Sequence, residues 1–224
     1  GTREICLKLL NHMIKQLFSI PVETGTIVPT DEQLTASLSV LDEAWSVANR
    51  GIWQNESGKS TGELEQGMEL YQSPIFDWLT MPMLTAVHDY WDNTLNYRRD
   101  FHMYVDAMWA NQHFEGDTTG EHNHSAGRGK SHVSCVYYLK KNPDNGHLLF
   151  RDPLESLWGM SPLDYMFTDN KKHHIHKAKA YDYVIFPSWL YHETQPNGKD
   201  ERIAISINFS GFPLDPSEGD YAST

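Results

Sequence analysis

Between residues 3 and 19, apolar side chains recur three and four positions apart: Ile5, Leu9, Leu10, Met13, Ile14 and Leu17. That spacing gathers them on one stripe of an α-helix. Pro21 ends the stripe, because proline has no N–H to donate and its ring crowds the preceding turn. A second helical stripe runs through Leu34, Leu38, Leu41 and Trp45, with Thr30 placed to cap it just after Pro29. A third covers residues 75–96, with Phe76, Leu79, Leu84, Val87, Tyr90, Trp91 and Leu95 on its apolar side, and Pro82 must kink or split it. Between these two, residues 50–63 are polar and rich in Gly and Ser, and read as a loop.

From residue 101 the period changes. Segments become short, aromatic and β-branched, and predict strands at 102–111, 118–124, 131–140, 147–151, 173–180, 182–187, 190–195 and 202–209. Turn chemistry separates several of them, most clearly Asn142-Pro143-Asp144-Asn145-Gly146 and Pro196-Asn197-Gly198. So many short strands in one block predict a mainly β chain with helices: a double-stranded β-helix, or jelly roll, packed against N-terminal helices. The expected division is a helical region at 1–100, a β core at 101–213 and a tail at 214–224.

Polar residues inside this β pattern carry the chemistry. In the last strand Arg202, Ala204, Ser206 and Asn208 share one face, while Ile203, Ile205, Ile207 and Phe209 share the other. The first face lines a polar cavity. A guanidinium there is costly without an anion, and a carboxylate, gripped by two parallel hydrogen bonds, is its preferred partner. Upstream, His122 and His124 stand two apart, so in a strand both reach one metal ion. His192, seventy positions on from the first of them, arrives on a different strand. Three ligands on one face of an ion leave room for a cosubstrate and O2. Imidazole also suits Zn, Cu and Ni, so ligand type alone does not name the metal. A lone His-x-His is an ordinary pair of surface histidines as often as not; its order with His192 and Arg202 raises it above that reading.

The remaining polar clusters read more plainly. His173, His174 and His176 form a solvated basic strand, Arg98-Arg99 and Lys140-Lys141 are exposed charge pairs, and Trp78, Trp91 and Trp109 belong to the core. Cys135 is a packing residue with no positive partner in its strand to activate it. Of 224 residues, 39% are hydrophobic and 12% aromatic, enough for a real core. The formal charge of −12 repels phosphate backbones and argues against nucleic acid as a general partner. Two cysteines cannot build a disulfide framework, and neither a membrane-length apolar run nor a charged-then-apolar leader is present. A reduced, cytoplasmic setting is expected.

These pieces resemble a known family. His122-Asn123-His124 followed by Val133-Ser134-Cys135-Val136-Tyr137-Tyr138-Leu139 looks like the metal-ligand strand and the next strand of the 2-oxoglutarate- and Fe(II)-dependent dioxygenases, nearest to the prolyl hydroxylases. Asn145-Gly146-His147-Leu148-Leu149-Phe150 resembles their following strand, and Phe186-Pro187-Ser188-Trp189-Leu190-Tyr191-His192 the second-histidine segment. The Ser188–His192 run, the Tyr137-Tyr138-Leu139 strand and Phe150-Arg151-Asp152-Pro153 resemble a bacterial and phage branch more narrowly. The likeness covers about residues 104–210.

The resemblance implies Fe(II) held by His122, His124 and His192, with 2-oxoglutarate as cosubstrate. It further implies that Arg202 and Tyr138 bind the distal carboxylate of 2-oxoglutarate, with Asn111 and Ser206 as secondary contacts. The substrate would be a small molecule or peptide that is hydroxylated. One position departs from the pattern: the wider family has an aspartate where this chain has His124. The site is therefore either a three-histidine triad or two histidines with another third ligand, and the triad is favoured. Two other readings stand beside the oxygenase. One is a cupin-like three-histidine metalloenzyme that does not use 2-oxoglutarate, and the other a non-catalytic jelly-roll binding module.

Overall fold

A computed structural model of the chain describes residues 19–49, 57–97, 100–125, 131–155 and 173–213. The helical stripe at 3–18, Arg98-Arg99, the segment 156–172 and the tail at 214–224 lie outside the described residues.

Helix α1 spans Asp31–Val47 and begins as the sequence predicts. The Thr30 hydroxyl accepts from the Gln33 N–H at 3.2 Å, and the Gln33 side chain accepts from the Thr30 N–H at 2.9 Å. This reciprocal pair satisfies two N–H groups that a helix start otherwise leaves open. Helix α2, Asp77–Asp89, keeps Pro82 inside it and continues into a wider turn at Tyr90–Thr94. The proline is the sixth of the helix's thirteen residues, and it does not split the element.

Nine strands are described: β1 Glu23–Thr26, β2 Lys59–Ser60, β3 Phe101–His113, β4 Val133–Lys140, β5 Leu148–Arg151, β6 His173–His176, β7 Asp182–Pro187, β8 His192–Thr194 and β9 Arg202–Pro213. They form a six-stranded sheet in the order β1-β7-β4-β9-β3-β2 and a three-stranded sheet in the order β6-β5-β8, with antiparallel pairing throughout. The two sheets make the jelly roll.

Alternation along β4 and β9 decides what each face of the large sheet meets. Cys135, Tyr137, Leu139, Ile203, Ile205, Ile207 and Phe209 pack outward against Leu41, Trp45, Phe76, Leu79, Met83 and Val87 of the helical layer. Val136, Tyr138 and Ala204 turn inward to meet Leu148, Phe150, Val184, Phe186 and Leu190. Because both faces of β4 are covered, its sequence is an almost unbroken apolar run. Cys135 is buried in the outer layer, and burial pushes its thiol pKa up, so it is inert packing. Trp78 meets Tyr137 edge-on at 5.7 Å, and Trp91 is buried, as expected of core residues.

Several elements differ from the sequence expectation. Strands β1 and β2 come from segments that carry no apolar alternation; they extend the large sheet by backbone pairing alone, β1 on β7 and β2 on β3. Residues 118–124 do not form a strand. Only His122 bridges to His192, through two backbone bonds of 3.0 and 2.9 Å. Lys140 reaches the surface and pairs with Glu201 at 2.8 Å, whereas Lys141 is buried, which corrects its reading as an exposed charge.

Candidate active site

His192 opens β8 and is 4% exposed, while His122 lies beside it across the bridge. His124 is held from the other side, its N–H donating to the Ser188 carbonyl at 2.8 Å. These backbone bonds bring the rings together with centroid separations of 4.4, 4.9 and 5.1 Å. One nitrogen from each ring falls within 4.8 Å of the other two. So the two histidine segments meet as predicted, although the first is not a strand.

The ring tautomers follow from the neighbours. His122 Nδ1 lies 2.8 Å from the Gly120 carbonyl, and His192 Nδ1 lies 2.9 Å from the Leu190 carbonyl. A carbonyl only accepts, so each Nδ1 carries the hydrogen and each Nε2 keeps a free lone pair, the form that ligates a metal. Burial lowers all three pKa values: His124 to about 3, with His122 also repelling its proton, and His122 and His192 below their ordinary range. All three are therefore neutral at neutral pH. Among the described residues the convergent group contains no carboxylate. Glu121 instead pairs with Arg151 at 2.8 Å, and Asp117 accepts from the Phe114 N–H at 2.8 Å.

That neutrality has a thermodynamic consequence in the metal-free protein. Below about pH 6.5 an unfolded chain protonates these imidazoles while the native site refuses the proton, so stability falls as pH drops. For His124 the fall continues down to about 3. The expected slope is up to about 1.4 kcal/mol per pH unit for each histidine. Urea melts of chelator-treated protein at successive pH values below neutrality measure it, and a flat midpoint would remove the neutral-imidazole assignment.

The cluster forms one wall of a cavity of about 740 Å³. Asn111, Val136, Leu148, Arg202, Ala204 and Ser206 line it as well, so three of the four expected contacts for the organic acid share the histidines' cavity. Arg202 is 3% exposed; its Nη1 donates to the Gly146 carbonyl at 3.1 Å, and its Nε is buried without a partner. Burial lowers its pKa. Tyr138 stands behind the wall rather than on it, within the inner apolar cluster; burial pushes its phenol up to about 12, against the pull of the Arg202 charge.

Other wall residues were not expected. Ser60, Gly62, Glu63 and Met68 come from the stretch read as a loop or just beyond it, and Thr119 from the segment ahead of His122. Trp109, assigned to the core, also lines the cavity, its ring 5.6 Å from that of His124. The signal for Trp109 was available: it lies two positions from Asn111 and shares its face of β3.

Residues 107–208 match a family model described as "Putative 2OG-Fe(II) oxygenase". That stretch, somewhat under half of the chain, is what it shares with the 2-oxoglutarate- and Fe(II)-dependent oxygenases. No curated protein matches it in sequence. Among solved structures, the chain is similar to a Pseudomonas putida prolyl-4-hydroxylase, with 17% identity over 85% of this chain and 92% of that one and a TM-score of 0.56. HygX from Streptomyces hygroscopicus, with nickel and 2-oxoglutarate bound, shares 13% identity over 85% and 83% of the two chains, with a TM-score of 0.56. SnoN, the non-heme alpha-ketoglutarate-dependent epimerase of nogalamycin biosynthesis, shares 11% over 91% and 87%, with a TM-score of 0.57. At such identities these three relatives establish the shared fold. Among the described residues, no helix is long and apolar enough to cross a membrane.

Proposed function

We propose that this chain binds Fe(II) through His122, His124 and His192, takes 2-oxoglutarate as cosubstrate and hydroxylates a small-molecule or peptide substrate. One observation supports this reading above the rest: a single cavity is lined by three convergent neutral imidazoles and by a buried guanidinium whose Nε has no partner. The donor set suits a divalent transition metal. The orphaned Nε suits a carboxylate, and HygX, of the same fold, holds nickel and 2-oxoglutarate.

Fe(II) with 2-oxoglutarate and O2 supplies the oxidising equivalent, the cosubstrate leaving as succinate and CO2. The chain's own residues bind and orient. Gly120 and Leu190 carbonyls fix two imidazoles with Nε2 toward the cavity. Arg202 anchors the far carboxylate of the organic acid, with Tyr138, Asn111 and Ser206 as further contacts. Val136, Leu148 and Ala204 keep that end dry, which strengthens the ion pair. Glu63, Met68 and Trp109 also line the cavity, Trp109 beside His124, and we assign the substrate to them. Three neutral ligands leave the ion both of its charges, so the acid's two carboxylates and the metal should each tighten the other's binding. The setting is cytoplasmic in this reading, and nucleic acid is not a partner.

Two experiments test it. Calorimetry should show 2-oxoglutarate binding to protein loaded with Ni(II), and succinate should form under Fe(II), ascorbate and air. The absence of a carboxylate among the convergent ligands favours one alternative, a three-histidine metalloenzyme without 2-oxoglutarate. Oxygen uptake indifferent to 2-oxoglutarate would establish that alternative instead.

A further inference from the structure

Lys141 is buried at 8% exposure, while its neighbour Lys140 is held at the surface by Glu201. Its ammonium group donates to the carbonyls of Asn142 and Asn145, the turn that joins β4 to β5. The next residue in that turn, Gly146, offers its carbonyl to Arg202 Nη1 at 3.1 Å. Among the described residues this is the guanidinium's single hydrogen bond. Gly146 adopts φ +57, and a Cβ there would meet Asn197 Oδ1 at 2.6 Å, so the carbonyl is set in a tight position. Asn145 Oδ1 also accepts from the Gly198 N–H at 3.0 Å, which fastens the turn to the connection before β9.

One charge of its own sign and one of the opposite sign act on Lys141. Arg202 on β9 opposes it, and Asp144 on the turn attracts it. His147, just ahead of β5, feels Lys141, Lys177 and Asp144, and its Nδ1 is buried without a partner. Tyr138 on β4 faces Arg202. Two residues with a buried, unpartnered nitrogen adjoin Gly146: His147, through Nδ1, follows it along the chain, and Arg202, through Nε, reaches it in space by way of Nη1. Arg202 lines the cavity, and Lys141 stands behind it across the turn; two buried cations facing one carboxylate call for a further anion.

We propose that Lys141 is a positioning residue for the organic-acid end of the site, fixing the carbonyl that aims Arg202 and adding a second positive charge, so that affinity for a dianionic acid follows the charge on Lys141. This rests on the reading of Arg202 as the anchor of 2-oxoglutarate. Burial, then the Arg202 charge, pulls the Lys141 pKa down to about 8. The charge is therefore present at neutral pH and lost in mild alkali, where the acid should bind more weakly. By reciprocity, a bound dianion raises that pKa, and binding near its midpoint takes up a proton.

The test is calorimetric titration of Ni(II)-loaded full chain with 2-oxoglutarate from about pH 6.5 to about 9.5. A binding-linked rise of one unit in the Lys141 pKa gives wild type an affinity loss of about tenfold across that range. Lys141→Arg should stay on the tight plateau and Lys141→Met on the weak one, both flat in this window. For wild type near the midpoint, buffers of different ionisation enthalpy should reveal net proton uptake, a readout that needs no variant to fold. A wild-type step that survives in both variants, or neither step nor uptake in wild type, overturns the role of Lys141. If Arg202→Met binds the acid as wild type does, the anchor reading itself fails, and this inference with it.

Discussion

Truncating His192 to alanine is expected to lower divalent-metal affinity at least about a hundredfold and to abolish 2-oxoglutarate turnover, since even partners beyond the ligand shell are worth about ten to a hundredfold at metal sites. The backbone bonds between residues 122 and 192 do not involve the side chain, so the bridge that holds the two segments together survives. The ring does pack against Phe186 at 4.8 Å between centroids, and its loss leaves a small void. Some stability is lost there, and some is regained at low pH because one imidazole that refuses its proton has gone. Metal titration and succinate release measure the functional losses, and circular dichroism confirms the fold. His124→Ala carries the sharper question. If the triad is right, that variant falls as far as His192→Ala. If it binds metal as wild type does, the site has only two histidine ligands and a third of another kind.

The part of this site that was legible in sequence is the part fixed by strand parity. Arg202, Ala204, Ser206 and Asn208 turn away from the helical layer because every intervening residue is a large apolar one that the helices cover. A one-residue slip of β9 would bury three polar groups, Arg202, Ser206 and Asn208, against those helices, so the register is not free to move. The same alternation separated Tyr138 from Tyr137. What parity could not show is how the first histidine pair is held. Residues 118–124 have the composition of a strand but pair through single bridges, because their partners, Ser57, Ser188, His192 and Thr194, come from three different segments. Strands β1 and β2 were hidden for a related reason: backbone pairing at a sheet edge needs no apolar side chain, and so leaves no period to read.

Charge was the other blind spot. Lys140-Lys141 looks like a solvated pair, and only the turn at 142–146 shows why one of the two goes inside. It offers two backbone carbonyls that no strand uses, and an ammonium group satisfies both. Trp109 failed in the opposite sense. An aromatic residue in a strand is packing by default, and its neighbour Met108 is indeed buried in the outer layer. Once Asn111 was singled out as a cavity contact, the same face belonged to Trp109 too.

Arg202→Met is expected to move stability and binding in opposite directions. In the unliganded protein this guanidinium is a buried charge with one carbonyl partner at 3.1 Å and an unpartnered Nε. Removing a charge from such surroundings avoids a desolvation penalty that its contacts do not offset, and methionine fills a similar volume. Melting temperature should therefore hold or rise. Binding of 2-oxoglutarate should weaken by about a hundredfold to a thousandfold, because deleting one partner of a buried charge pair costs about 2–5 kcal/mol and strands the other. Arg202→Ala loses binding to a similar degree but also opens a void beside Ala204, so it should melt lower than the methionine variant. Succinate, which keeps the far carboxylate of 2-oxoglutarate but lacks the 2-oxo acid end, should lose affinity in parallel, whereas pyruvate, which lacks the far carboxylate, should be nearly indifferent. If succinate and pyruvate respond alike, Arg202 acts on the whole site through its packing; if only the longer acid suffers, the guanidinium is its anchor.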